Sequence, residues 1–244
     1  MKALALDTTT RGGSVALVDD DAIVDERRGD ETRSHAERLP GELIAVVDAN
    51  HLALADVELF AVASGPGSFT GLRIGIATIQ GLALATGRQV VGIPALEALA
   101  HAGSRDLEPG GIVAAWMDAL RHDVFAALYR VAPAPMYDAR RLEVLDAASV
   151  GDPVPVLARW RDHLSGASAV FVGDGASAYA DRITDAHSAA RIIATPLLAG
   201  AIGRLASAQA RSGGAIHPEA IRPVYVRRPD AEVAKERRNH GGHG

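Results

Sequence analysis

Short apolar runs bounded by turn residues open the chain. Lys2–Leu6 runs into Asp7, Ser14–Val18 follows a Thr8-Thr9-Thr10 and Gly12-Gly13 turn, and Ala22–Arg28 follows Asp19-Asp20-Asp21. These runs predict three strands in a meander. The period then lengthens: Ser34 with Glu37 has the spacing of a capping box, and Leu39, Leu43, Val46 and Val47 make one apolar stripe, so a helix follows. Pro40 within it removes a hydrogen bond to the previous turn, which predicts a kink or a late start. A strand at Leu59–Ala63, a loop at Ser64–Ser68, a helix at Phe69–Ala85 closed by Gly87, a strand at Gln89–Ile93 and a helix from Pro94 complete a β-β-β-α-β-α-β-α pattern.

The second half restarts the same way. Ile112–Met117 ends in Asp118 as Lys2–Leu6 ends in Asp7, and Val124–Val131 follows as a strand. A strand at Arg141–Leu145, a helix at Val154–Leu164, a strand at Ala169–Val172 running into Gly173-Asp174-Gly175, a strand at Arg191–Ala194 and a helix at Leu197–Ala210 are the remaining predictions. Two such halves predict a duplicated α/β fold. The boundary falls in Gly103–Gly111, giving units 1–103 and 111–228, and residues 229–244 are expected to form a disordered tail.

Composition narrows the chemistry. The 244 residues include no cysteine, which removes disulfides, thiolate nucleophiles and Cys-ligated metals. A net charge of −5 argues against a protein that coats nucleic acid by itself. Asp7 follows too soon for a signal peptide, and the longest apolar stretch, Leu72–Ala85, carries Arg73 and falls short of the roughly 20 residues of a span. A cytoplasmic chain with no membrane partner is expected.

Two segments could carry chemistry. Asp7-Thr8-Thr9-Thr10 at a strand end could present amides and hydroxyls to a phosphate, or be a plain polar turn, and spacing favours the turn. Gly65-Pro66-Gly67-Ser68-Phe69-Thr70-Gly71-Leu72-Arg73-Ile74-Gly75 runs into a helix start, where unpaired amides gather around an anion, but it lacks the Walker lysine. Gly71 and Gly75, four apart and flanked by Leu72, Ile76 and Ile79, fit a close helix–helix contact better. On that reading Gly75→Leu weakens partner association more than folding. No His pair has the i, i+4 spacing of a helical metal site, and no G-x-S-x-G elbow is present.

These segments, with Gln80-Gly81-Leu82-Ala83, Gly92-Ile93-Pro94-Ala95-Leu96, Asp118-Ala119 and Pro223-Val224-Tyr225-Val226-Arg227, resemble the TsaB (YeaZ) family over nearly the whole chain to Arg228. The resemblance implies the duplicated actin/hexokinase/Hsp70 (ASKHA) fold. It implies a non-catalytic partner subunit required by TsaD for threonylcarbamoyl transfer to the adenosine beside the anticodon of tRNAs reading codons that begin with A. TsaE would join the assembled complex, tRNA would be met through it, and the free chain would be a homodimer that exchanges for the heterodimer. Where TsaD carries two metal-binding histidines this chain has Ala95 and Leu99, so neither a metal nor a catalytic residue is expected.

The implied interface takes in His35, Leu39, Leu43, Val46, Gly71, Leu72, Gly75, Ile76 and Ile79, with His35 and Glu42 at its rim. A vestigial nucleotide site comprises Asp7, Thr8, Thr9, Asp118, Gly173 and Gly175. No cofactor is expected to bind tightly, with weak nucleotide binding at a subunit interface as the exception. The alternatives are a stand-alone ATP-dependent kinase or phosphatase of the same fold and, further off, a glycoprotease-like peptidase.

Overall fold

The computed structural model describes residues 1–10 and 12–226; the 229–244 tail lies outside them. The first half is β1 (Lys2–Asp7), β2 (Ser14–Asp19), β3 (Ala22–Arg28), α1 (His35–Ala49), β4 (Leu59–Gly65), α2 (Phe69–Thr86), β5 (Gln89–Pro94) and α3 (Ala95–Gly103). The second is β6 (Ile112–Asp118), β7 (Val124–Val131), β8 (Leu142–Gly151), α4 (Pro153–Leu164), β9 (Ala169–Val172), α5 (Asp174–Ala178), α6 (Ala180–Ala186), β10 (Arg191–Ile193) and α7 (Ala199–Arg211). Each half builds a five-stranded sheet, ordered β3-β2-β1-β4-β5 and β8-β7-β6-β9-β10. In both, the first three strands pair antiparallel and the last two run parallel to the first, so the fold is the expected duplicated ASKHA type.

The sequence alternation explains the layering. In β1, Leu4 and Leu6 point to one face and Ala3 and Ala5 to the other. The large residues meet α1 and α2 in one core, with Leu39, Leu43, Val46, Val47, Ile76 and Ile79. The small ones meet α7, whose Gly203 lies so near Val18 and Ala5 that a Cβ would come 2.6 Å from Val18. This second core continues through α3 and α7 to the inner face of the other sheet, where Val113, Ala115 and Val172 lie. A third core holds Trp116, Trp160 and Phe171 beneath α4. The boundary at Gly103–Gly111 falls between α3 and β6, yet α7, from the second half, covers the first sheet.

Three local expectations change. α1 starts directly after Ser34, whose backbone and hydroxyl both donate to Glu37, and runs through exposed Pro40 rather than starting late. β8 is about twice the length of the Arg141–Leu145 run. Residues 174–186 form two short helices that the sequence pattern missed, because only Gly175, Ala176 and Ile183 of that stretch are buried and no stripe forms.

The connection after α3 is pinned from inside. Arg141, almost wholly buried, donates to the Ser104 carbonyl at 2.9 Å, the Ala134 carbonyl at 2.9 Å and the Ser104 hydroxyl at 3.3 Å. A guanidinium at the C-terminal end of α3 also answers the negative end of the helix dipole. Beside it, His101 is fully buried, stacks on Tyr137 at 5.7 Å, and has no hydrogen-bond partner on either ring nitrogen among the described residues. Burial, then the positive charge of Arg141, pushes its pKa down to about 4, with Asp138 opposing. The unfolded chain therefore binds a proton that the folded chain refuses, and stability falls as pH drops from about 6.5 toward 4. The loss amounts to about 3 kcal/mol when complete. Urea titrations at pH 7.5 and pH 5 should show about 2 kcal/mol of this loss in the wild type, and His101→Phe, which keeps the stacking shape, should flatten it.

Candidate functional site

The loop Gly65–Ser68 leads into α2, and the Ser68 hydroxyl accepts from the Gly71 amide at 3.4 Å. A helix start of this kind offers amides to an anion. Here the turn after β1 fills the space beside it. Asp7 is fully buried, and its carboxylate accepts from the Thr9 amide at 2.7 Å, the Thr9 hydroxyl at 2.6 Å and the Thr10 hydroxyl. The loop amide that could greet a phosphate is thus taken by the chain's own anion.

The same turn explains the glycines of the motif. A Cβ at Gly67 would lie 2.7 Å from the Thr9 Cβ, and one at Gly71 would lie 2.6 Å from the Thr8 carbonyl oxygen. At Gly75 it would overlap the Thr8 side chain. Three glycines spaced four apart form a track, and a loop of this chain sits in it. Gly71 and Gly75 therefore do not hold open a place for a partner helix, as their spacing suggested. The structure brings Asp7, Thr8 and Thr9 together with Gly71 and Gly75, joining two segments that the sequence reading kept apart.

The remaining residues assigned to an interface are also inside. Leu39, Leu43, Val46, Leu72, Ile76 and Ile79 are core residues, at most 5% exposed. His35 is half-buried over the Thr8 turn, with Nδ1 3.3 Å from an Arg38 nitrogen, and its pKa is lowered by burial and by Arg38. Glu42 accepts from the Asp30 amide at 3.0 Å and pairs with Arg38, which is buried and also donates to the Gly12 carbonyl. These groups clamp α1 to the first turn.

What α1 and α2 present outward is a different set: Pro40, Gly41, Ile44 and Ala45 on α1, and Ala77, Gly81, Leu84 and Ala85 on α2. A Cβ at Gly41 or Gly81 would meet nothing within 4 Å. By length and composition α2 is apolar enough to cross a membrane, contrary to the sequence reading, yet only a third of it is buried. Its glycine track fixes it on the first sheet, and its outward face is left as an apolar surface. The sequence signal was a second stripe, Ala77, Gly81, Leu84, hidden because small residues weigh little in a hydrophobic pattern.

In the second half, Asp118 and the Gly173–Gly175 turn lie together. The Asp118 amide and the Gly175 amide both donate to the Asp174 carboxylate at 2.9 Å, and burial raises the pKa of that carboxyl. Gly173, at φ 123°, passes so close to the Trp116 carbonyl that no side chain fits. Leu120, Arg121 and His122 at the neighbouring hairpin tip all have positive φ, a costly conformation for residues with a Cβ. Ala95 and Leu99 are fully buried on α3.

The model of the family described as "TsaD: tRNA N6-adenosine threonylcarbamoyltransferase" matches residues 30–235. The protein named tRNA threonylcarbamoyladenosine biosynthesis protein TsaB from Escherichia coli K12 is 35% identical over 53% of this chain and 55% of its own length. YeaZ from Pseudomonas aeruginosa superposes with a TM-score of 0.74 at 29% identity, covering 92% of this chain and 99% of that one. The chain belongs to the TsaB (YeaZ) family. An uncharacterized protein of Mycobacterium tuberculosis H37Rv is 31% identical over 94% of this chain and 93% of its own length.

For this TsaB-family chain, the fit of Thr8 into the glycine track reverses the expectation for Gly75→Leu. The variant should lose about 3 kcal/mol or more of stability, because backbone and turn must separate to admit the side chain. Urea unfolding of the purified variant checks this, a stable, wild-type-like transition being the outcome that contradicts it.

Proposed function

We propose that this chain is the non-catalytic partner subunit of a tRNA threonylcarbamoyladenosine-forming complex, docking TsaD through the outward face of α1 and α2. TsaE joins that assembly, tRNA is met through it, and the free chain pairs with a second copy through the same face. The observation that carries the reading is the imbalance on α2: eighteen largely apolar residues, with a third of them buried by this chain. Flat faces built from Ala, Gly and Ile let two helix pairs approach closely and bury apolar area, which drives association. The family membership directs the choice of partner. A stand-alone kinase or phosphatase is not favoured, since Asp7 and the Thr8–Thr9 turn fill the cradle that an ATP phosphate would need. A nucleotide held weakly at the subunit interface remains part of the proposal.

Gly81 and Gly75 lie on one helix but about a third of a turn apart around it, one exposed and one buried, which separates docking from folding. Leu at Gly81 meets open space in the free chain and replaces the poorest of the ordinary helix formers, so it should leave stability unchanged or raise it by about 0.5–1 kcal/mol. The same side chain should obstruct the docked face and weaken association about tenfold or more. Light scattering after size-exclusion chromatography, alone and with TsaD, reads the outcome. A Gly81→Leu, Ile44→Glu double variant that still forms both dimers would refute the assignment of this face.

A further inference from the structure

Beside the proposed docking face, on the flank of α2 away from α1, runs an open groove of about 450 Å³ between α2 and the segment after α7. Arg73, Ile76 and Gln80 line one wall, and Ile221, Arg222, Pro223 and Tyr225 the other. The second wall is sewn in place: Gln80 donates to the Pro218 carbonyl at 2.9 Å, and the Val224 amide to the Ser64 carbonyl at 2.7 Å. At the mouth, Phe69 stacks on Tyr225 with centroids 5.4 Å apart and planes 29° from parallel. The Arg73 guanidinium lies 4.0 Å from the Phe69 centroid, and its Nε donates to the Tyr225 hydroxyl at 3.1 Å. Two motif segments 152 residues apart thus meet at the surface in one planar cluster.

Three features of this groove need an explanation that folding does not supply. The chain is poor in aromatics, at 4%, and most are buried, whereas Phe69 and Tyr225 are 39% and 38% exposed and lie together. The chain carries net negative charge, yet the charged residues lining the groove are both arginines. The cluster is also pre-ordered by its own stacking and hydrogen bond, so a ligand need not pay to arrange it.

We propose that the groove binds a nucleotide unit, with its base stacked on the Phe69–Tyr225 cluster and its phosphate on Arg73 and Arg222. Base–aromatic stacking is tolerant of sequence, and guanidinium groups match phosphate oxygens in geometry and charge. A carboxylate of a protein partner would use the arginines but not the stacked rings. The favoured source is a single-stranded segment of RNA, with a free mononucleotide as the other source of the same chemistry. The site adds direct nucleic-acid contact to the proposed subunit role without depending on TsaD.

The test uses the full chain alone and a fluorescein-labelled, single-stranded 12-nucleotide RNA (length about that of one such groove and its flanks) followed by anisotropy. Binding should weaken at least about tenfold with Arg222→Glu and with Tyr225→Ala, and be retained by Tyr225→Trp. The salt slope of the logarithm of affinity should fall by about 1 on removal of one phosphate contact. AMP that displaces the RNA at comparable concentration assigns the groove to a mononucleotide, and AMP that fails to do so assigns it to RNA. Either result supports the site. Circular dichroism confirms that the exposed substitutions leave the fold intact. Wild-type RNA binding by Arg222→Glu and Tyr225→Ala, or no binding to the wild type at about 200 μM, overturns the proposal. Loss of TsaD association with unchanged RNA binding also overturns it, because the groove then serves a protein partner. Failure of the wild type to bind TsaD tells against the subunit role and leaves the groove untouched.

Discussion

The seating of the first turn in the glycine track of α2 is the constraint on which the rest depends. Thr8 and Thr9 reach α2 only because Gly67, Gly71 and Gly75 lack side chains. Once seated, the turn is closed by Asp7 and clamped from the other side by Arg38 through the Gly12 carbonyl. That fixes α1 against α2, and the pair lies flat on the large-residue face of the sheet. The outward face of the pair, with its Ile44, Ala77, Gly81 and Leu84, exists in that form only because the inward faces are so fully used.

The two halves treat equivalent positions differently. In the first, the strand-end aspartate is buried and its hydrogen bonds are spent on its own turn. In the second, Asp118 is exposed and the half-buried Asp174 carboxylate collects the amides of both segments. A duplicated fold built for a nucleotide between its halves would leave such amides for phosphates. Here the chain's own carboxylates, Asp7 and Asp174, take amides of these turns.

The strands and long helices were legible because their period and bounding residues agree: β1, β2, β4, β6 and β9 emerged from apolar runs, and α1 from its capping box. What could not be read was which face of α1 and α2 points inward. Leu39 and Leu43 looked like surplus apolar stripe, and Gly71 and Gly75 like a helix contact, because spacing gives the face but not what covers it. α5 and α6 were missed since burial of three residues out of thirteen leaves no period to detect. The pairing of Phe69 with Tyr225 depends on the chain returning across the end of the first sheet, which no local pattern encodes.

The capping of α7 has a consequence for synthesis. Its first amides, at Leu198, Ala199 and Gly200, donate to the Ser14 hydroxyl and the Glu26 carboxylate, groups made 174 to 185 residues earlier. Until α7 leaves the ribosome, the alanine face of β1 and β2 lacks its helix, and Glu26, whose pKa burial raises, has no helix end to accept from. At typical elongation rates that interval is on the order of ten seconds. The nascent chain therefore carries an incompletely covered sheet face through about half of its translation, and closure of the native fold waits on one of the last helices to be made.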